Sequence, residues 1–170
     1  MPNFHRFTIK AQEALQSAQE LVARHNHGEL KAIHLLRALL NDEQTLVRPM
    51  LIRANLNLNH LEKELDNQME HLPKIFAGGN VSQLYLSQEL MKVLDRAAEI
   101  AAKQKDEFVS CEHLILALLD VPSLAQELLM KFGVRKEILM RILAQLRGSM
   151  RVTDETPESK FQVLEKYAIN

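Results

Sequence analysis

The sequence predicts an all-α protein made of two pseudo-symmetric four-helix repeats packed as one globular domain. Three observations predict it: a composition of helix formers, a segment written twice, and apolar stripes of helical period in both copies. Hydrophobic residues make up 46% and charged residues 25%, close to the globular average, while aromatic residues are only 5% and tryptophan is absent. Strands favour β-branched and aromatic residues, whereas Leu, Ala, Glu, Gln, Lys and Arg dominate here, and these fit a helix at little cost. A domain of this length buries about 70% of its unfolded surface, so neither metal nor disulfide is needed to hold it together.

The duplication is the strongest signal. Sliding the chain along itself until His34 lies opposite His113 matches Thr8–Asn41 to Ser87–Asp120 without a gap. Leu15 then meets Leu94, Ala18 meets Ala97, Glu20 meets Glu99 and Ala23 meets Ala102, and HLLRALL from His34 meets HLILALL from His113. After one slip the match resumes, with Leu51 opposite Leu129, Leu56 opposite Val134, Leu61 opposite Leu139 and Leu65 opposite Leu143.

Each copy reads as four helices. The first begins at Thr8 or Ser87, both good N-caps, and each precedes an apolar stripe: Ala11, Ala14, Leu15, Ala18, Leu21, Val22 in one copy and Leu90, Val93, Leu94, Ala97, Ile100, Ala101 in the other. A connector holding Gly28, or Asp106-Glu107, leads to a short apolar helix at about 33–41 or 111–120, the latter capped by Ser110. Third and fourth helices are expected at about 44–54 and 58–70, then 123–132 and 135–147. Asn55 and Gly133 stand at the equivalent breaks, where a left-handed turn suits both residue types.

Repeat one therefore covers about 4–72 and repeat two about 84–147, within a domain of residues 1–147. Between them His71 to Gln83, with Pro73, Gly78 and Gly79, reads as the inter-repeat loop. Two units are too few for an open solenoid, so each copy should cover apolar surface that the other cannot bury alone. From Gly148 to Lys160 the composition turns polar and includes Pro157, a flexible linker spanning about 20 Å as coil. Residues 161–170 resume a helical pattern, as the start of a following domain would.

The charge balance excludes several function classes. With a net charge of -1 there is no field to draw in nucleic acid or an anionic membrane surface. One cysteine, Cys111, cannot form an intramolecular disulfide, which fits a reducing cytoplasm. No run reaches the ~18 apolar residues of a membrane span, and residues 1–10 lack the apolar core of a secretory signal. Asn80-Val81-Ser82, in a chain without an export signal, is read as a chance glycosylation match.

No converging set of catalytic groups is legible, so no catalytic residue and no metal site is expected. The G-x-x-x-x-G-K-[ST] phosphate loop is missing, since Gly78-Gly79 has no lysine in register, and H-E-x-x-H does not occur. Cys111 and His113, two apart on a helix, do not face each other as nucleophile and base would. His25-Asn26-His27 reads as a solvated helix end, and His34 and His113 as buried first-turn residues that satisfy their rings by local hydrogen bonds. The Leu-rich runs are core. Phe4, Phe7, Leu84, Tyr85, Leu86 and Phe108 cluster at repeat starts and connectors, where core and exposed binding surface are both open readings.

F-T-x-K-A-Q-E-A-L from Phe7 to Leu15, the HLLRALL helix, EHLILALL from Glu112 to Leu119 and the tail L-E-K-Y-A-I-N resemble the N-terminal domain of the Clp, or heat-shock-100, ATPases, the ClpA, ClpB and ClpC family, over the whole chain. The tail is most similar to the ClpB type. That resemblance implies a non-enzymatic, substrate-binding module of a stress-response disaggregase, weakly holding exposed hydrophobic segments of misfolded or aggregated polypeptides. It implies no cofactor for this segment, ATP and Mg for the full-length protein, and a co-chaperone system as a further partner. It also implies a full-length homohexamer, with the isolated domain a monomer. An adaptor- or substrate-docking domain of a protease-coupled ClpA or ClpC unfoldase is the alternative. Carried over, the family's groove falls on Thr8, Arg96, Ile100, Asp106, Glu112 and His113: apolar contact from Ile100, orientation of substrate backbone or basic groups by Thr8, Asp106 and Glu112, with Arg96 and His113 standing where apolar residues are expected.

Overall fold

A computed structural model describes residues 4–75 and 85–148. After a 3-10 turn at Phe4–Arg6, the described residues form α1 (Ile9–Arg24), α2 (Ala32–Asn41), α3 (Val47–Arg53), α4 (Leu58–Glu70), α5 (Gln88–Lys103), α6 (Cys111–Asp120), α7 (Leu124–Lys131) and α8 (Lys136–Arg147). The all-α, four-plus-four architecture is the one the duplication predicts. Leu84, the Asn80-Val81-Ser82 triplet, most of the linker and residues 161–170 lie outside the described residues.

The caps agree closely with the sequence. Thr8 Oγ1 accepts the Ala11 N–H at 3.1 Å and Ser87 Oγ accepts the Leu90 N–H at 3.1 Å. Ser110 also stands at an N-cap, but its hydroxyl is turned toward the His113 ring, 3.1 Å from Nδ1. The capping acceptor is His113 itself, whose Nδ1 receives the Ser110 backbone N–H at 2.8 Å. In the first copy Lys31 has no short acceptor to offer, and His34 Nδ1 takes the Lys31 N–H at 2.9 Å instead. A ring nitrogen in the first turn thus replaces the usual carboxylate or amide of a capping box.

α3 begins later than its expected start near residue 44. Asp42 Oδ1 accepts the Gln44 N–H at 2.8 Å and Thr45 Oγ1 accepts the Val47 N–H at 3.3 Å, local bonds that compete with a helix and hold the segment as a turn. Asn55 (φ 65) and Gly133 (φ 86) adopt the left-handed conformation expected of them. Asn26 (φ 55) and Lys105 (φ 61) do the same at the equivalent ends of α1 and α5, where no glycine marks the stop.

α2 and α6 form the centre. They pack on each other and on helices from both copies, and from Cys111 through Leu119 every residue of α6 is buried. A fully buried Leu is worth roughly 1.5–3 kcal/mol, so these two short helices carry a large part of the driving force. The copies are also stitched by backbone. Thr8 N–H donates to Val109 O (2.9 Å) and Val109 N–H to Arg6 O (2.7 Å); Ser87 N–H donates to Leu30 O (2.9 Å) and Leu30 N–H to Tyr85 O (2.8 Å). Each repeat start therefore pairs with the other repeat's connector, twice, by the same rule. These are the two seams.

Candidate functional site

The second seam holds the connector between α5 and α6, against the start of α1. Since His113 Nδ1 is occupied as an acceptor, its proton sits on Nε2, which donates to Asp106 Oδ2 at 2.7 Å. The other Asp106 oxygen pairs with Arg147 Nη2 at 2.6 Å, and Arg147 Nη1 reaches Gln104 Oε1 at 3.2 Å. Burial holds the His113 imidazole below its ordinary range, although Asp106 favours the charged form.

The first seam repeats this joint with neutral chemistry. His34 Nε2 donates to His27 Nδ1 at 2.8 Å, and His27 Nε2 donates to the Met69 carbonyl at 2.9 Å. Burial, and then the nearby His27, push the His34 imidazole down to about 4; burial lowers His27 as well. This corrects the reading of His25-Asn26-His27 as a solvated helix end, because His27 is buried and fastened to α4. The identities alone give no sign of that, since it takes α4 to fold back and bring the Met69 carbonyl to the ring. His34 and His113 are buried and locally bonded, as the sequence predicts.

Of the six expected groove residues, Thr8, Ile100, Asp106, Glu112 and His113 are each at most 8% exposed. Thr8, Asp106, Glu112 and His113 gather at the second seam: Thr8 pairs with Val109, and the rest stand in the connector or the first turn of α6. Ile100 is on the buried face of α5. Arg96 is elsewhere, near the far end of α6, where its Nε donates to Asp120 at 2.7 Å and its Nη1 to Glu99 at 2.8 Å. Burial alone would raise the Asp120 carboxyl, but hydrogen bonds from Lys136 and Arg96 outweigh it and hold Asp120 below its usual range. Five of the six are therefore buried, four of them at the second seam, and Arg96 ties helices together.

The accessible apolar groups at the seams are different ones. Phe4 is 38% and Ile9 42% exposed, flanking buried Phe7 and Thr8 beside the second connector. At the first seam Tyr85 is 60% exposed and helps line a groove of about 530 Å³ with Leu72, Pro73 and Ile75, edged by Lys31 and Lys74. The aromatic cluster thus splits, with Phe7 in the core, Leu86 and Phe108 partly buried, and Phe4 and Tyr85 in solvent. Among the described residues no group of three or more His, Cys, Asp or Glu side chains is disposed to hold a metal, and no single helix is long and apolar enough to cross a membrane.

The profile of the family described as "Clp repeat (R) N-terminal domain" matches residues 6–132. The chain belongs to that family. Among curated relatives of this Clp repeat domain, the ClpB chaperone protein of Porphyromonas gingivalis is 35% identical over 168 residues, which is 99% of this chain and 19% of that protein. The chain spans about a fifth of the length of the curated relatives it matches. In fold, the Clp repeat domain is similar to the Hsp104 N-terminal domain from Candida albicans, at a TM-score of 0.79 and 24% identity, covering 90% of this chain and 99% of that one. A ClpV N-domain in complex with a VipB peptide shares the fold at a TM-score of 0.65 and 20% identity, covering 83% and 86%.

Proposed function

We propose that this Clp repeat domain is the polypeptide-handling module of a ClpB-type disaggregase, holding exposed apolar segments of misfolded or aggregated proteins weakly and without chemistry. The observation that carries the proposal is the exposed apolar rim at both seams, Phe4 and Ile9 over one and Tyr85 with its groove over the other. Solvent-facing aromatic and aliphatic groups set on a rigid floor suit binding of many sequences at low affinity, because a shallow surface cannot be sharply complementary to any one of them. The ClpV neighbour, a domain of the same fold, was solved with a peptide bound, and the ClpB relatives are named chaperones; both support the reading. The ATP- and Mg-dependent motor, its hexameric ring, a co-chaperone and the cytoplasmic setting belong to the same proposal for the whole protein. Within it Thr8, Ile100, Asp106, Glu112 and His113 shape the seam while the rim touches the client.

Fluorescence anisotropy of labelled, unfolded casein checks it. The expected dissociation constant is about 10 μM, near 7 kcal/mol of binding free energy. Charge placed in the rim by Phe4→Asp with Tyr85→Asp should weaken binding about tenfold or more, whereas Arg96→Ala should leave it within about twofold. No binding at millimolar domain, or equal binding by all variants, overturns the proposal. Binding to an adaptor protein with none to casein would favour docking to a ClpA- or ClpC-type unfoldase.

A further inference from the structure

The two seams are built by one sequence rule, yet among the described residues only the second has its histidine joint built on buried charge. Where Arg147 ends α8, the slip-corrected match to the first copy places Met69, and where Asp106 receives the ring of His113 the first copy has neutral His27. The first copy makes the joint without ionic groups, so the fold does not require them, and a buried ion pair is weak evidence for stability in its own right. The two positions differ in where the chain runs next. α4 leads into the inter-repeat segment, whereas α8 leads through Gly148 (φ 60, its N–H bonded to Ala144 O at 2.9 Å) to residues 149–170.

We propose that Arg147 is a positioning residue, a latch that ties the end of α8, and so the start of residues 149–170, to the second connector and through it to the start of α1. The path is continuous. The guanidinium holds Asp106 and Gln104 together, Asp106 holds the His113 ring, His113 holds the Ser110 N–H, and the neighbouring Val109 pairs with Arg6 and Thr8 beneath Phe4 and Ile9. A planar fork that grips two acceptors at once fixes direction as well as distance. Whatever displaces the connector at the rim therefore displaces the end of α8, and the coupling does not depend on which polypeptide binds.

Amide hydrogen exchange on residues 1–170 tests the latch. Arg147→Met alone leaves Asp106 a buried carboxylate without its fork and is expected to lower the denaturation midpoint, so the informative variant is D106N/R147M, which removes both charges. In it the amides of Gly148, Asp106 and Val109 should exchange about tenfold faster or more, while His27 and Leu30 at the first seam keep wild-type rates and the urea midpoint is nearly unchanged. R147K, which keeps the charge but loses the fork, should fall between wild type and the double variant. Acceleration at only one end, none at all, equal acceleration in the first copy, or an R147K identical to D106N/R147M would each overturn the proposal.

Discussion

His34 and His113 occupy the third helical position, where a side chain can reach back to the N-cap backbone, and both use Nδ1 to do so. That commitment fixes the tautomer of each ring. In the first copy it also orders a relay in which every ring nitrogen of His34 and His27 has an assigned role, ending on the Met69 carbonyl. An added proton on His34 would set an N–H against the Lys31 N–H, so the folded state favours neutral rings, in line with the drop of His34 to about 4. The unfolded chain, with a histidine pKa of about 6.5, takes up protons first as pH falls, so stability contributed by these rings is full above that value and drains away toward pH 4. His34 alone should cost roughly 3 kcal/mol across the window. Urea denaturation at several pH values should show it, and His34→Gln, which keeps a capping acceptor but cannot titrate, should flatten the dependence; an unchanged slope would refute the assignment. The recurrence of the two histidines was legible in the sequence. The burial of His27 was not, because its partner carbonyl lies 42 residues away.

Among the elements, ends were easier to foresee than lengths. Ser, Thr and Asn oxygens at N-caps act locally, so Thr8 and Ser87 could be placed from identity alone, and replacing either by Ala should cost about 1 kcal/mol. Gly133 and Asn55 give a sharper comparison, since both are left-handed at equivalent breaks. A Cβ at Gly133 would meet nothing within 4 Å, so Gly133→Ala should destabilise by about 1 kcal/mol through backbone strain alone, whereas Asn55→Gly should be neutral or slightly stabilising. Thermal melts of the two variants that shift in the same direction by the same amount would contradict this account. The stop at Lys105 has no local signature because a lysine carries no preference for that conformation; what holds it there is the Asp106 N–H bonded back to Ala101 O, matched in the first copy by the His27 N–H bonded to Val22 O beyond Asn26.

For the molecule as a whole, the two copies share one hydrophobic core. α2 and α6 press on each other, and each repeat start is paired with the other repeat's connector. Unfolding should accordingly be a single cooperative transition, with helical content followed by circular dichroism and local order at Tyr85 giving the same midpoint. Separate peptides covering residues 4–75 and 85–148 should be largely unfolded, since each would expose the apolar faces that the partner covers. Two stepwise transitions, or a half that folds alone, would contradict the shared core.

The helical class, the duplication, the central pair of apolar helices and the caps at Thr8 and Ser87 were readable along the chain, because each depends on composition, period or contacts within a single turn. Only packing decided which of the matched residues face solvent. Matching positions share a place in the chain, but whether Thr8, Asp106 and Glu112 are reachable or sealed depends on how closely the other copy's connector lies against them. Packing also brought the charges of one seam together, since Arg147 meets Asp106 only after 41 residues have folded back. Local physics is written along the chain; burial is a property of what the rest of the chain places on top.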